Sequence, residues 1–259
     1  MDKNQLNRLY ARYNLRKWVH PDPLEFLYDY PDLKDREIAG MVASSLAYGR
    51  VNQILKSVST VLKEMKPSPY AFLKSATSVS LKHSFKDFRH RFTGGDDLAA
   101  MLLGIKRMIE RHGSIYGCFL AGLNNNDETI LPALSSLVKE LMVPSNGCSN
   151  SLIPLPEKGS ACKRLNLFLR WMVRKDRVDP GGWKKVSPAK LIVPLDTHMH
   201  RISTMLKMTA RKSADMRTAL EITNRFREIL PEDPVKYDFS LTRLGIRDDV
   251  DIDQLKDLI

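Results

Sequence analysis

Apolar residues recur every three or four positions along most of this chain, while alternation with a period of two is almost absent. The first pattern lines one face of an α-helix and the second would line one face of a strand, so the chain is read as all-α. Residues 3–19 put Leu6, Leu9, Tyr10 and Tyr13 on one side, and Pro21 and Pro23 end that run. Ile38, Met41, Val42 and Leu46 predict a helix that begins near Arg36, is capped by Asp35 and stops around Tyr48-Gly49. Further helices are predicted over 51–65, 96–111, 114–122 and 127–142. The stretch 143–160 reads as a long loop. Helices over 161–175, 197–208, 213–229 and 235–245 follow, with a turn-rich connection at 176–194 that contains Asp179-Pro180-Gly181-Gly182.

With 259 residues the chain can form one large domain or two small lobes. It has no apolar run long enough to span a membrane, and Met1-Asp2-Lys3-Asn4 leads into a polar amphipathic stretch with no signal core. Cys118, Cys148 and Cys162 are odd in number and widely spaced, which suits a reducing compartment and matches no zinc or iron–sulfur spacing. A cytoplasmic protein without membrane contact is expected. The net charge is +11, and all of it lies in one segment: residues 158–212 hold 14 lysines and arginines against Asp176, Asp179 and Asp196. The remainder has 27 basic and 27 acidic residues. Charge concentrated in this way implies a polyanionic partner, with nucleic acid preferred over a membrane surface or a merely solvated face.

Two constellations can carry chemistry. In Gly159-Ser160-Ala161-Cys162-Lys163-Arg164-Leu165-Asn166 a small-residue turn runs into a helix, whose first amides and positive dipole end suit a phosphate. Along that helix Leu165, Phe168, Leu169 and Met172 form a core stripe, and Lys163, Asn166, Arg170 and Arg174 a polar one. An ordinary amphipathic helix with its basic side in water accounts for the pattern equally well. In Val193-Pro194-Leu195-Asp196-Thr197-His198-Met199-His200-Arg201, Asp196 sits where a helix N-cap belongs. Capping alone explains such an aspartate, yet amide hydrogen bonds also keep a carboxylate ionised, as an electrostatic catalyst needs. Asp196, His198 and His200 are spaced by two and point in different directions on a helix, so no metal site is expected.

The glycine-containing turn with Lys163 and Asn166, followed by Pro194-Leu195-Asp196-Thr197-His198, resembles the helix-hairpin-helix DNA glycosylase superfamily, which includes endonuclease III and the 8-oxoguanine glycosylases. Lys163 falls at that superfamily's catalytic lysine and Asp196 at its catalytic aspartate; His198 and Arg201 match the continuation of the aspartate motif. Glu37 to Tyr48 is similar to its first core helix, which leads into a loop that probes the base stack, and Lys236 to Gly245 looks like its closing helix. The chain as a whole also resembles a bacterial family of proteins with no assigned function. It departs from the superfamily pattern in several places. Ala161 replaces the hairpin's second glycine, the four-cysteine iron–sulfur motif is absent, and Ala47 stands where a stack-probing glutamine is common, leaving Tyr48 or Arg50 to serve.

The resemblance implies a two-lobed all-α fold with the active site in a cleft between the lobes. Residues 1–35 would supply an N-terminal helix packing with the C-terminal lobe, 36–160 a helical bundle, and 161–259 the C-terminal lobe carrying the lysine and the aspartate. It also implies a base-excision DNA glycosylase with abasic-site lyase activity on duplex DNA with a damaged base or abasic site; from the cysteines and the histidine spacing no cofactor or metal is expected, and a monomer is expected. Phosphates would sit on Gly159, Ala161, Cys162, Arg164, Asn166 and Arg170, with His198 and Arg201 beside the aspartate. Tyr48 would stack into the gap left by the flipped base, although a packed core tyrosine is an equal reading. Lys163 would attack the sugar as a neutral amine; a lysine's ordinary pKa of about 10.4 would have to fall in a dry pocket crowded by Arg164 and other cations. The alternatives are a catalytically silent nucleic-acid-binding protein on the same fold, or an enzyme acting on RNA or nucleosides.

Overall fold

The structure, a computed structural model, describes residues 2–145 and 148–246. Asn146 and Gly147 of the expected long loop, and residues 247–259 of the expected C-terminal lobe, lie outside the described residues. The described chain is mostly helical, as the period-three-to-four pattern requires. Its helices are α1 (Lys3–Tyr13), α2 (Leu33–Ser45), α3 (Val51–Glu64), α4 (Pro69–Ser75), α5 (Ser78–Ser84), α6 (Gly95–His112), α7 (Ile115–Ala121), α8 (Leu131–Met142), α9 (Lys163–Val173), α10 (Thr197–Met205), α11 (Met216–Ile229) and α12 (Asp238–Ile246). Strands β1 (Arg89–His90) and β2 (Thr93–Gly94) pair antiparallel with His90 opposite Thr93. Among the described residues no helix is long and apolar enough to cross a membrane.

The chain divides into two compact units, one of residues 21–155 and one of residues 1–20 with 156–259. The divisions fall away from the expected 35/36 and 160/161. Residues 21–35 go with the bundle because a 3-10 turn, Pro23–Asp29, packs on α2 and α3 and buries Leu24 and Leu27. Residues 156–160 go with α9 because the Gly159 carbonyl accepts from Met216 N at 3.0 Å, tying the turn to the start of α11.

In the 21–155 unit α6 is central. It buries Leu98, Met101, Leu102, Ile105 and Met108, and α4, α5, α7 and α8 pack against it. The α6–α8 contact is close enough to require Gly104, where a Cβ would stand 2.3 Å from the Leu141 carbonyl oxygen. The α2 cap differs from expectation: Asp32 accepts from Lys34 N at 2.8 Å, one turn earlier than predicted. Asp35 instead accepts from Ser68 Oγ (2.7 Å) and Tyr70 N (2.8 Å), pinning α4 to α2. Buried Glu37 accepts from Ile115 N (2.9 Å) and Tyr116 N (3.0 Å), where a carboxylate satisfies the orphan donors at the start of α7.

In the other unit α12 packs against α1 and α10. Tyr10 meets Tyr237 edge to face at 6.3 Å, and the Tyr237 hydroxyl donates to Asn7 Oδ1 at 3.0 Å. The first helix is shorter than the predicted 3–19; Asn14 leaves helical dihedrals and a 3-10 turn, Arg16–Trp18, follows. The end of α9 is held by the glycine-rich connection: Gly181 N donates to Trp171 O at 3.0 Å and Trp183 N to Met172 O at 2.9 Å. Trp183 then buries itself edge-on against Phe168 at 5.3 Å.

Apart from Lys163, the polar stripe expected on α9 does not face water. Asn166, Arg170 and Arg174 are all buried. Arg170 pairs with Asp179 and Asp238, and Arg174 with Asp176, Asp179 and Asp233. Tyr10 extends this network, donating to Asp176 at 2.9 Å. Burial alone explains why such arginines need acids: an unpaired interior charge costs far more than a paired one. Burial holds Asp179 and Asp233 above the usual carboxylate range despite their arginines, whereas Arg174 and the Val178 and Asp179 amides overcome it and hold Asp176 below.

Candidate active site in the 1–20 and 156–259 unit

The two helix starts singled out by sequence meet. Lys163 opens α9 and Asp196 caps α10, and Lys163 Nζ lies 3.8 Å from Asp196 Oδ2. The local chain explains the placement. Val193 and Leu195 are buried, and Val193 N donates to Thr223 Oγ1 of α11 at 3.0 Å, so Asp196 emerges from a fixed anchor. Its two oxygens divide their work. Oδ1 accepts from Met199 N at 2.8 Å as a helix cap, while Oδ2 faces the lysine. The side chains of Lys163 and Asp196 are 30% and 22% exposed, enough for a ligand to reach both. At 30% exposure the surroundings of Lys163 are not fully dry, and one charged neighbour is a carboxylate.

The hairpin before α9 is built differently from expectation. Gly159 has φ 76 and is exposed, with open space where a Cβ would stand. The second left-handed residue is Cys162, φ 48, rather than Ala161. Ser160 steadies it by accepting from Cys162 N at 3.2 Å, and Ser160 bridges to Asp215 at the start of α11. Asn166 donates Nδ2 to the Ala161 carbonyl at 3.0 Å from a position 1% exposed. It locks the hairpin from within, and its expected role as a DNA contact is corrected. Ala161 and Cys162 are likewise buried, and Cys162 N is engaged by Ser160, so neither offers a side chain to a ligand. Burial also pushes the Cys162 thiol up to about 11, which removes it as a nucleophile. Arg170 belongs to the interior ion network and is corrected in the same way. Gly159, Arg164, His198 and Arg201 are at least partly exposed.

Withdrawing Arg170 and Arg174 does not dilute the basic segment. Asp176 and Asp179 enter the same network, so twelve cations and Asp196 of residues 158–212 remain outside it. A further acid lies close by, and sequence reading passed over it. Buried Asp238, at the start of α12, is raised to about 6 by burial, opposed by Arg170 and reinforced by the charge of Asp196. Its Oδ2 pairs with Arg170, while its Oδ1 is buried without a hydrogen-bond partner among the described residues.

Tyr48 and Arg50 belong to the 21–155 unit. Arg50 is exposed just before α3. Tyr48 is half-buried and cannot swing out as a probe. Its hydroxyl donates to the His90 carbonyl at 3.1 Å and shares a 2.5 Å hydrogen bond with Thr93 Oγ1, and its carbonyl is 3.0 Å from His90 Nε2. Phe92, in the β1–β2 turn, stacks on it at 5.2 Å. Sequence reading missed this hairpin; the interleaved basic and aromatic run Lys86-Asp87-Phe88-Arg89-His90-Arg91-Phe92 before Gly94-Gly95 was the available signal.

Among the described residues no cluster of three or more histidine, cysteine or acidic side chains could hold a metal ion. Neither a curated protein nor a solved structure matches the chain. One family model matches residues 22–247, most of its length, and the chain belongs to that family, described as "Protein of unknown function (DUF2400)".

Proposed function

We propose that the protein is a base-excision DNA glycosylase with associated abasic-site lyase activity, on a helix-hairpin-helix glycosylase-like fold. The observation that carries the reading is the lysine–aspartate pair at two helix starts, with one aspartate oxygen capping and the other turned to the amine. The twelve cations left outside the interior network favour a polyanion, and exposed Gly159, with Arg164, His198 and Arg201, supplies polar groups for the sugar–phosphate chain. Lys163 acts as the neutral amine, its proton released to water, and the ionised Asp196 carboxylate stabilises positive charge as it develops on the deoxyribose. The Lys163 lone pair then bonds to C1′; the C1′–base bond breaks, its electron pair leaves with the base, and the base is protonated. The nitrogen, now bonded to C1′, passes one proton to O4′ as the C1′–O4′ bond opens, which leaves a protonated Schiff base. Loss of a C2′ proton then expels the 3′ phosphate.

The experiment is a panel of duplex oligonucleotides, each with one damaged base or an abasic site, incubated with purified protein and resolved for released base and cut strand. Base release with cleavage on at least one substrate is expected. Binding without release on every substrate would make the protein a silent binder. Activity confined to RNA or to free nucleosides would move the reaction to those substrates.

A further inference from the structure

Phe92 is one of the few large apolar side chains that the described chain leaves in water, at 72% exposure. It sits at the tip of a two-residue turn, and its neighbour Arg91 takes φ 56, a left-handed conformation unfavourable for a residue with a Cβ. Strain of that kind persists where the surroundings enforce it. Here the enforcement is visible. Buried His90 receives Ser57 at Nδ1 (2.9 Å) and reaches the Tyr48 carbonyl through Nε2 (3.0 Å). Thr93 links Tyr48 to Ser151 (2.6 Å), and Ser151 donates to Asp97 (2.6 Å). Tyr48 is thus clamped at both its carbonyl and its hydroxyl. The Phe92 ring lies over it at an interplanar angle of 28°. A rigid aromatic floor therefore supports an aromatic ring whose outer side is open.

The charges on the hairpin are mainly positive. Residues 86–94 hold Lys86, Arg89 and Arg91 against Asp87, and Arg50 follows Gly49, against which the Arg91 side chain lies. Arg50, Arg89 and Arg91 are exposed and form no ion pair among the described residues. An open π face beside unpaired guanidinium groups fits a flat, electron-rich ring attached to a phosphate chain.

We propose that Phe92, supported from below by Tyr48 and flanked by Arg50, Arg89 and Arg91, is a platform on which an unstacked nucleobase of DNA lies. This rests on the reading of the protein as DNA-binding, and it replaces Tyr48 by Phe92 as the ring that meets the base. Tyr48 is a positioning residue.

The test uses the full chain and a fluorescein-labelled thymidine oligonucleotide, with wild type, Phe92→Ala, Phe92→Leu and Phe92→Trp compared by anisotropy. Phe92→Ala is expected to weaken binding by about fivefold to a hundredfold. Phe92→Leu, which keeps apolar bulk without a π face, should lose most of that affinity as well, and Phe92→Trp should keep it. Wild-type affinity in folded Phe92→Ala, or in Phe92→Leu, overturns the proposal, as does wild-type protein that binds no DNA. Because no chemistry occurs on this probe, the result separates from the glycosylase reading. Affinity lost in Phe92→Ala while no substrate is ever processed sinks the enzyme reading alone. Processed substrate with Phe92-independent binding sinks the platform alone.

Discussion

An Asp196→Asn protein is expected to fold like wild type and to lose base excision by at least about a hundredfold. The two halves of that expectation come from the two oxygens. Oδ1 accepts from Met199 N at 2.8 Å, and asparagine caps a helix about as well as aspartate, so α10 should begin where it does now. Oδ2 faces Lys163 Nζ at 3.8 Å, and its replacement by an uncharged amide removes the negative charge opposite the developing sugar cation. Thermal melts within a few degrees of wild type, with single-turnover excision reduced a hundredfold or more, are the expected pair of results. Folded Asp196→Asn with undiminished excision would leave Asp196 as a cap alone. Asp196→Ala is the poorer variant because it removes cap and charge together.

Arg174→Met is expected to cost about 3–5 kcal/mol of stability, a large share of what holds a typical domain together. The methionine fills much of the space but leaves Asp179, which is fully buried, and Asp176 and Asp233 without their shared cation. The loss should depend on pH in a definite sense. Carboxyls held above their unfolded pKa bind more protons in the folded than in the unfolded state, so their contribution to stability is present below the unfolded pKa and is lost as pH rises through the folded one. Asp179 and Asp233 are already raised, and Asp238 stands at about 6. Removing a guanidinium raises the first two further, so the Arg174→Met deficit should grow from about pH 4 through pH 6 and above. Denaturant unfolding at several pH values measures it. A deficit under about 1 kcal/mol, or one that shrinks as pH rises, would show that the network does not hold this unit together.

Much of this fold was legible because period-three-to-four spacing is long and regular in α3, α6 and α8. Helices α4 and α5 have seven residues each, too short for periodicity to register, and they stand by packing on α6 and by caps from Ser68 and Thr77. The Lys163–Asp196 pair was legible through the resemblance: each residue alone reads as an ordinary helix start, and the match to the superfamily's lysine and aspartate motifs is what joined them. The destination of Arg170 and Arg174 was not. A basic stripe looks alike whether it meets water or buried acids, and two of those acids, Asp233 and Asp238, come from about 60 residues further along. Tyr48 misled in the same way. The resemblance suggested a probe, but the bonds that fix Tyr48 come from His90 and Thr93, about 40 residues away.

The central claim, that Lys163 is the nucleophile, is tested most directly by borohydride reduction during incubation with abasic-site duplex, comparing wild type with Lys163→Gln. Reduction converts a transient Schiff base to a stable amine, so wild type should give a covalent protein–DNA adduct. Lys163→Gln should give none while still binding the duplex, since only one of many cations outside the network is lost. An adduct of wild-type yield in Lys163→Gln would place the nucleophile elsewhere, and wild-type protein that binds abasic DNA but never forms an adduct would contradict the lysine mechanism.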